Sequence, residues 1–208
     1  MIAEAIAGLA RFVAGASVFW VDRPPDERQR VYFANHTSHL DFVVLWSALP
    51  PAVRRWTRPV AARDYWEKGA ARRFLAARVF RAVLVDRPGA SDSADAGRVA
   101  AARRTIETLV AEMGDRHSLI VFPEGTRGTG KEVGPFKSGL YYLCRARRDL
   151  EAMPVYLDNM NRILPKGESL PVPMLSRVLF GRPLRLLDGE SKEQFLQRAR
   201  AAVCELKA

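Results

Sequence analysis

The chain has 208 residues, of which 48% are hydrophobic; that is enough for one full core and too apolar for a disordered protein. Its formal charge of +10 calls for an anionic partner, whether nucleic acid, a phospholipid surface or a phosphorylated substrate. The two cysteines, Cys144 and Cys204, match no disulfide or metal spacing, which fits a reduced, cytosol-facing compartment.

The apolar positions Ile2, Ile6, Leu9, Val13 and Trp20 share one side of a helix over residues 2–20. The apolar run at 12–21 is too short to span a bilayer, which takes roughly 20 residues. Glu4 stands where a secretory leader carries positive charge, so no leader is expected. Residues 31–35 read as a buried strand, and 41–49 as a helix stopped by Pro50-Pro51. Strands follow at 59–62 and 82–85, separated by a helix over 64–81. A loop rich in Ser, Asp and Gly covers 88–95, and a helix then runs to a C-cap at Gly114. Further on are a strand at 118–122, a helix at 137–150, a strand at 154–157 and a Pro-rich loop at 163–175. The last strand spans 177–187 and is edged or broken by Pro183. Ser191 and Gln194 form a capping box that opens the last helix. Strands alternating with helices imply an α/β fold: a single domain with a largely parallel central sheet flanked by helices. An N-terminal amphipathic helix is assigned to residues 1–25 and the α/β domain to 26–208.

Three histidines occur, His36, His39 and His117. Two lie in NHTSHLD (35–41), after a strand and at the start of a helix, where ligand sites of open α/β sheets fall. From position 41 an aspartate can reach back to one imidazole nitrogen of His36 and leave the other to take a proton. No nucleophile accompanies the pair, which suits activation of a substrate hydroxyl. The bland alternative makes the two residues turn and helix caps.

A second segment, FPEGTR (122–127), also follows a strand and brackets a turn with Glu124 and Arg127. Lys137 stands at a helix start, a plausible phosphate position. The stretch 125–131 imitates a nucleotide-binding P-loop, but Glu132 stands where Ser or Thr is needed and Gly134-Pro135 interrupts the required helix.

Together, NHTSHLD and FPEGTR resemble the glycerolipid acyltransferases, whose best-known members acylate 1-acyl-glycerol 3-phosphate. Arg87 in LVDR matches the arginine of a second family motif, although Arg81 and Leu84 depart from its Gly and Phe. MPVY (153–156) approximates a fourth. The resemblance implies an O-acyltransferase with His36 as general base and Asp41 as its partner, needing neither a metal nor an acyl-enzyme. It puts Glu124, Gly125 and Thr126 in the acceptor site, and Arg87, Arg127 and Lys137 near its phosphate. His39, where many relatives carry an aromatic residue, reads as a packing or rim residue. The implied partners are a lysolipid acceptor and acyl-CoA or acyl carrier protein as co-substrate, with no cofactor. Acceptors other than 1-acyl-glycerol 3-phosphate, such as other lysophospholipids or lyso-ornithine lipid, fit the same motifs.

Residues 54–87 hold ten basic residues against three acidic ones, interleaved with Trp56, Tyr65, Trp66, Phe74 and Phe80. With two lipid substrates, this reads as an anionic membrane surface contact rather than a nucleic-acid site, and the protein is expected in the cytoplasm, peripheral on the inner face of the cell membrane. A metal-dependent hydrolase using His36, His39 and Asp41, or a non-catalytic lipid-binding protein, are the rivals.

Overall fold

The computed structural model describes residues 2–22, 24–86, 95–160 and 175–207. Seven strands form one sheet in the order β1-β7-β6-β2-β5-β3-β4. They are β1 (Ala16–Trp20), β2 (Arg30–Ala34), β3 (Thr57–Ala62), β4 (Val83–Val85), β5 (Ser118–Val121), β6 (Glu151–Asp158) and β7 (Ser176–Phe180). β6, β2, β5, β3 and β4 run parallel, whereas β7 is antiparallel to β6 and carries β1 parallel to itself. The sheet is therefore largely parallel, with a reversed pair at one edge.

β2 lies at the centre and is buried along its whole length, which is why, after the ion-paired Arg30, its sequence is a continuous apolar run rather than an alternating one. Tyr32 and Ala34 face a core with α1 (Ile2–Val13) and α2 (Asp41–Ala48). Val31 and Phe33 face a second core with α6 (Asp95–Met113), α7 (Gly139–Ala146) and α8 (Lys192–Glu205). Burying a side chain such as Phe33 contributes about 1.5–3 kcal/mol.

The expected helix over 2–20 ends at Val13. Gly15 takes φ +49°, the left-handed geometry that closes helices at low cost in a glycine. The β-branched and aromatic residues that follow, Val18, Phe19 and Trp20, suit a strand. Trp20 continues the helical spacing by coincidence; it pairs with Phe180 in β7 and stacks on its ring at 3.9 Å. Because 16–20 join the sheet, the boundary drawn at residue 25 cuts through the fold.

The expected helix over 64–81 is broken by Gly69 at φ +89°. It becomes α4 (Arg63–Trp66), α5 (Ala70–Phe74) and a π-helical turn (Leu75–Val79). A short helix, α3 (Pro51–Arg54), intervenes before β3. The last expected strand stops at Phe180; beyond Pro183 only a bridge between Leu184 and Ala152 continues it. The capping box forms, with the Gln194 N–H on Ser191 Oγ at 3.2 Å and the Ser191 N–H on Gln194 Oε1 at 2.9 Å. The loops read at 88–95 and 163–175 lie, but for Asp95 and Leu175, outside the described residues.

Candidate active site

β2 delivers its exit to a fixed place. Asn35 donates from Nδ2 to the Leu157 carbonyl at 2.9 Å, and the Leu157 N–H donates to Asn35 Oδ1 at 2.8 Å, clamping the end of β2 to β6. Asp41, fully buried at the start of α2, then reaches back over the intervening turn. Its Oδ2 accepts from His36 Nδ1 at 2.8 Å, from the Thr37 N–H at 2.6 Å and from the Ser38 N–H at 2.9 Å. An oxygen that receives two backbone N–H groups receives a third from the ring, so Nδ1 carries the imidazole proton and Nε2 offers its lone pair. The His36 side chain is 24% exposed and stacks on Phe122 at 4.4 Å.

The turn after β5 meets this loop from the other side. Glu124 Oε1 accepts the His36 N–H at 2.8 Å, and Oε2 accepts the Gly134 N–H at 2.9 Å. The Gly128 N–H donates to the His36 carbonyl at 2.7 Å. Gly125 takes φ +70°, and the Lys137 side chain crosses over it; a Cβ at Gly125 would lie 2.7 Å from Lys137 Nζ. The Lys137 backbone N–H is itself fixed to the Pro123 carbonyl at 2.8 Å.

A cavity of about 450 Å³ opens at His36. Gly125, Arg127 and Lys137 line its polar side; Val60, Ile106, Leu109 and Leu140 give it an apolar wall between the sheet, α6 and α7. His39 and Tyr65 form another part of the lining, stacked at 4.7 Å, and the Arg72 guanidinium lies 4.4 Å from the Tyr65 ring centre. Burial, and then the positive charge of Arg127, hold His39 below the usual histidine range, so the ring stays neutral near pH 7. A second, shallower hollow of about 530 Å³ against α8 is lined by Glu190 and Arg198 and by no histidine.

Of the residues read from sequence, His36, Gly125, Arg127 and Lys137 line the cavity and Asp41 backs His36. Glu124 does not line it: both of its oxygens are taken by backbone N–H groups. Thr126 is exposed and outside the lining, and Arg87 lies outside the described residues. His39, read as a packing or rim residue, lines the cavity and packs on Tyr65. Tyr65, Trp66 and Phe42 are cavity residues that the motifs did not announce; Tyr65 and Trp66 do follow β3, beyond the carboxyl end of a strand, where such residues are to be sought.

The basic stretch divides in two. Arg54 is buried and paired with Glu4, Arg58 with Glu112, and Arg63 with Glu67 and Asp86. Lys68, Arg73 and Arg78 are exposed, with no ion pair among the described residues. Trp66 packs on Phe42 and Phe80, and Trp56 lies at the amino end of β3 beneath Arg116 at 3.5 Å, so neither shares an exposed face with Phe74, which is half exposed. No helix among the described residues is long and apolar enough to cross a membrane, and none of their His, Cys, Asp and Glu side chains form a group of three or more able to hold a metal ion.

The Acyltransferase family model matches residues 11–158. The crystal structure of the 1-acyl-sn-glycerophosphate (LPA) acyltransferase PlsC from Thermotoga maritima has a similar fold, with a TM-score of 0.72 at 19% identity, covering 99% of this chain and 77% of that one. No curated protein matches the chain.

Proposed function

The chain belongs to the acyltransferase family, and from that premise we propose that it transfers a fatty acyl group from a thioester to the hydroxyl of a lysolipid. The foremost acceptor is 1-acyl-sn-glycerol 3-phosphate, giving phosphatidic acid. The observation that carries this reading is the His36–Asp41 pair, joined at 2.8 Å, at the mouth of a cavity with one cationic side and one apolar wall. Its volume of about 450 Å³ falls in the range of small-molecule sites.

In this reading His36 Nε2 removes the proton from the acceptor hydroxyl as that oxygen attacks the thioester carbonyl. The tetrahedral adduct then expels the thiolate, which recovers the proton from the imidazolium. Asp41 fixes the ring and stabilises its charged form. General-base catalysis contributes about 10²–10⁴-fold, and alignment of two bound substrates supplies much of the rest. Arg127 and Lys137 take the acceptor phosphate, each charge-assisted contact being worth about 1.5–3 kcal/mol. The donor is acyl-CoA or acyl carrier protein.

We place the protein on the inner face of the cell membrane as a peripheral enzyme. Exposed Phe12 and Leu175 flank the start of β1 and β7, which is the end of the sheet that also carries His36, because that pair runs opposite to the other strands. Lys68, Arg73 and Arg78 supply the attraction to anionic lipid.

The test is a lysolipid panel with acyl thioester, read by mass spectrometry, on wild type, His36→Ala and Asp41→Asn. Both variants are expected to stay folded and lose at least about 10²-fold in kcat. If His36→Ala keeps more than about a tenth of the wild-type rate, His36 is not the base. Thioester consumption that no added lysolipid stimulates would sink the acyl-transfer reading.

A further inference from the structure

We infer that Glu124 is a positioning residue for His36 rather than a contact to the acceptor; this rests on the general-base reading of His36. Its two oxygens hold two segments at once, the His36 N–H at 2.8 Å and the Gly134 N–H at 2.9 Å. The His36 carbonyl is tied to the same turn through the Gly128 N–H at 2.7 Å. Both main-chain polar groups of the base are therefore fixed by residues 124–134, and neither contact involves the imidazole. The ring is left to Asp41.

The two glycines show how closely the carboxylate fits. A Cβ on Gly134 would lie 2.7 Å from Glu124 Oε2, and one on Gly128 would lie 3.4 Å from the same atom. A carboxylate that accepts from two backbone N–H groups makes charge-assisted bonds, about twice as strong as neutral ones. It has no place in the lining of the cavity. Arg127 does line the cavity and sits between the anchor points Glu124 and Gly128. The strut therefore sets the base and the cation of the site in one frame. A base displaced by about 1 Å costs on the order of 10²-fold in rate, so the contribution of Glu124 appears in the chemical step.

The experiment is steady-state kinetics on Glu124→Gln and Gly134→Ala with acyl thioester and lysolipid varied separately, alongside thermal melts. Glu124→Gln is nearly isosteric, but its amide N–H₂ confronts one of the two backbone N–H groups. Gly134→Ala pushes on Oε2 and touches no substrate. We expect kcat to fall about tenfold to a hundredfold in Glu124→Gln, and in the same direction but less in Gly134→Ala, with both KM values within about threefold of wild type. A rise of about tenfold or more in acceptor KM with kcat intact makes Glu124 an acceptor contact and overturns the inference. Wild-type kinetics in both variants, or a loss of rate that only tracks loss of folded protein, overturns it too. His36→Ala in the same assay separates the two levels. If it is inactive while Glu124→Gln is normal, only the strut falls; if it is active, the base assignment falls with it.

Discussion

The two sides of the cavity are held by different forces. On the side of residues 35–41 and 122–137, position is set by short bonds between backbone groups and two carboxylates, Asp41 and Glu124. On the side of α4 and α5, it is set by a stack, His39 on Tyr65 and Tyr65 under Arg72, on a segment interrupted at Gly69. Directional bonds to main chain fix atoms to fractions of an ångström, as the general-base role proposed for His36 would require. Stacked rings tolerate sliding, and a single pair is worth about 0.5–1.5 kcal/mol. The wall that holds His36 is thus the rigid one, and the wall of α4 and α5 is the compliant one.

The largest effect should come from the compliant side. Replacing Lys68, Arg73 and Arg78 together with Gln removes about 1 kcal/mol of attraction per residue toward an anionic surface, which is about a hundredfold in affinity. Co-sedimentation with vesicles containing anionic lipid should show that loss, and raising salt should reproduce it in wild type, since the Debye length is about 10 Å at 0.1 M. Equal binding to neutral and anionic vesicles at every salt concentration would remove the electrostatic role of this side. Tight binding to RNA with none to vesicles would replace it.

On the rigid side, Gly125→Ala should cost about 1 kcal/mol of stability from the left-handed backbone alone. It should also displace Lys137, whose Nζ would lie 2.7 Å from the new Cβ. Acceptor KM is expected to rise about tenfold, the worth of one charge-assisted contact. Unchanged acceptor kinetics would mean that Lys137 does not serve the phosphate.

The smallest effect is a pH response at the seam between the sides. His39 is held below its ordinary value by burial and then by Arg127, with a smaller contribution of the same sign from Arg72 and an opposing one from Asp41. The fold therefore disfavours its charged form. The stability this represents is present above about pH 6.5, the unfolded value, and is lost as pH falls through the depressed native value. Urea unfolding of His39→Gln should show a smaller loss between neutral and mildly acidic pH than wild type does. The residual loss has a second source of the same sign in His117, lowered by burial and then by Arg58 and Arg81. An identical loss in both proteins would show that His39 is not the titrating group.

What the sequence reveals follows the same division. The rigid side is legible because its signals are local: an apolar run ending in His36, an aspartate five residues on, and a turn motif after another apolar run. The partnership of Glu124 with His36 and Gly134 is not legible, because it depends on two loops 88 residues apart meeting across β2 and β5. Nor is β1. Its inward Val18 and Trp20 and outward Ser17 and Phe19 alternate over only five residues, and the partner that decides the matter, β7, is distant. Tyr65 enters the cavity because α4 follows β3 at the carboxyl end of the sheet, a fact of topology and not of spacing.

That reversed edge pair also dictates when the protein can finish folding. Ala16 stands in register with Ser176 and Trp20 with Phe180, so β1 has no partner until residues some 160 positions later have been made. At about 5–20 residues per second, the wait on the ribosome is roughly 8–32 seconds. Through it Val18, Phe19 and Trp20 form an open, sticky strand while the central strands are already available to one another. Contacts this distant slow folding, and this edge of the sheet stays open until β7 arrives to close it.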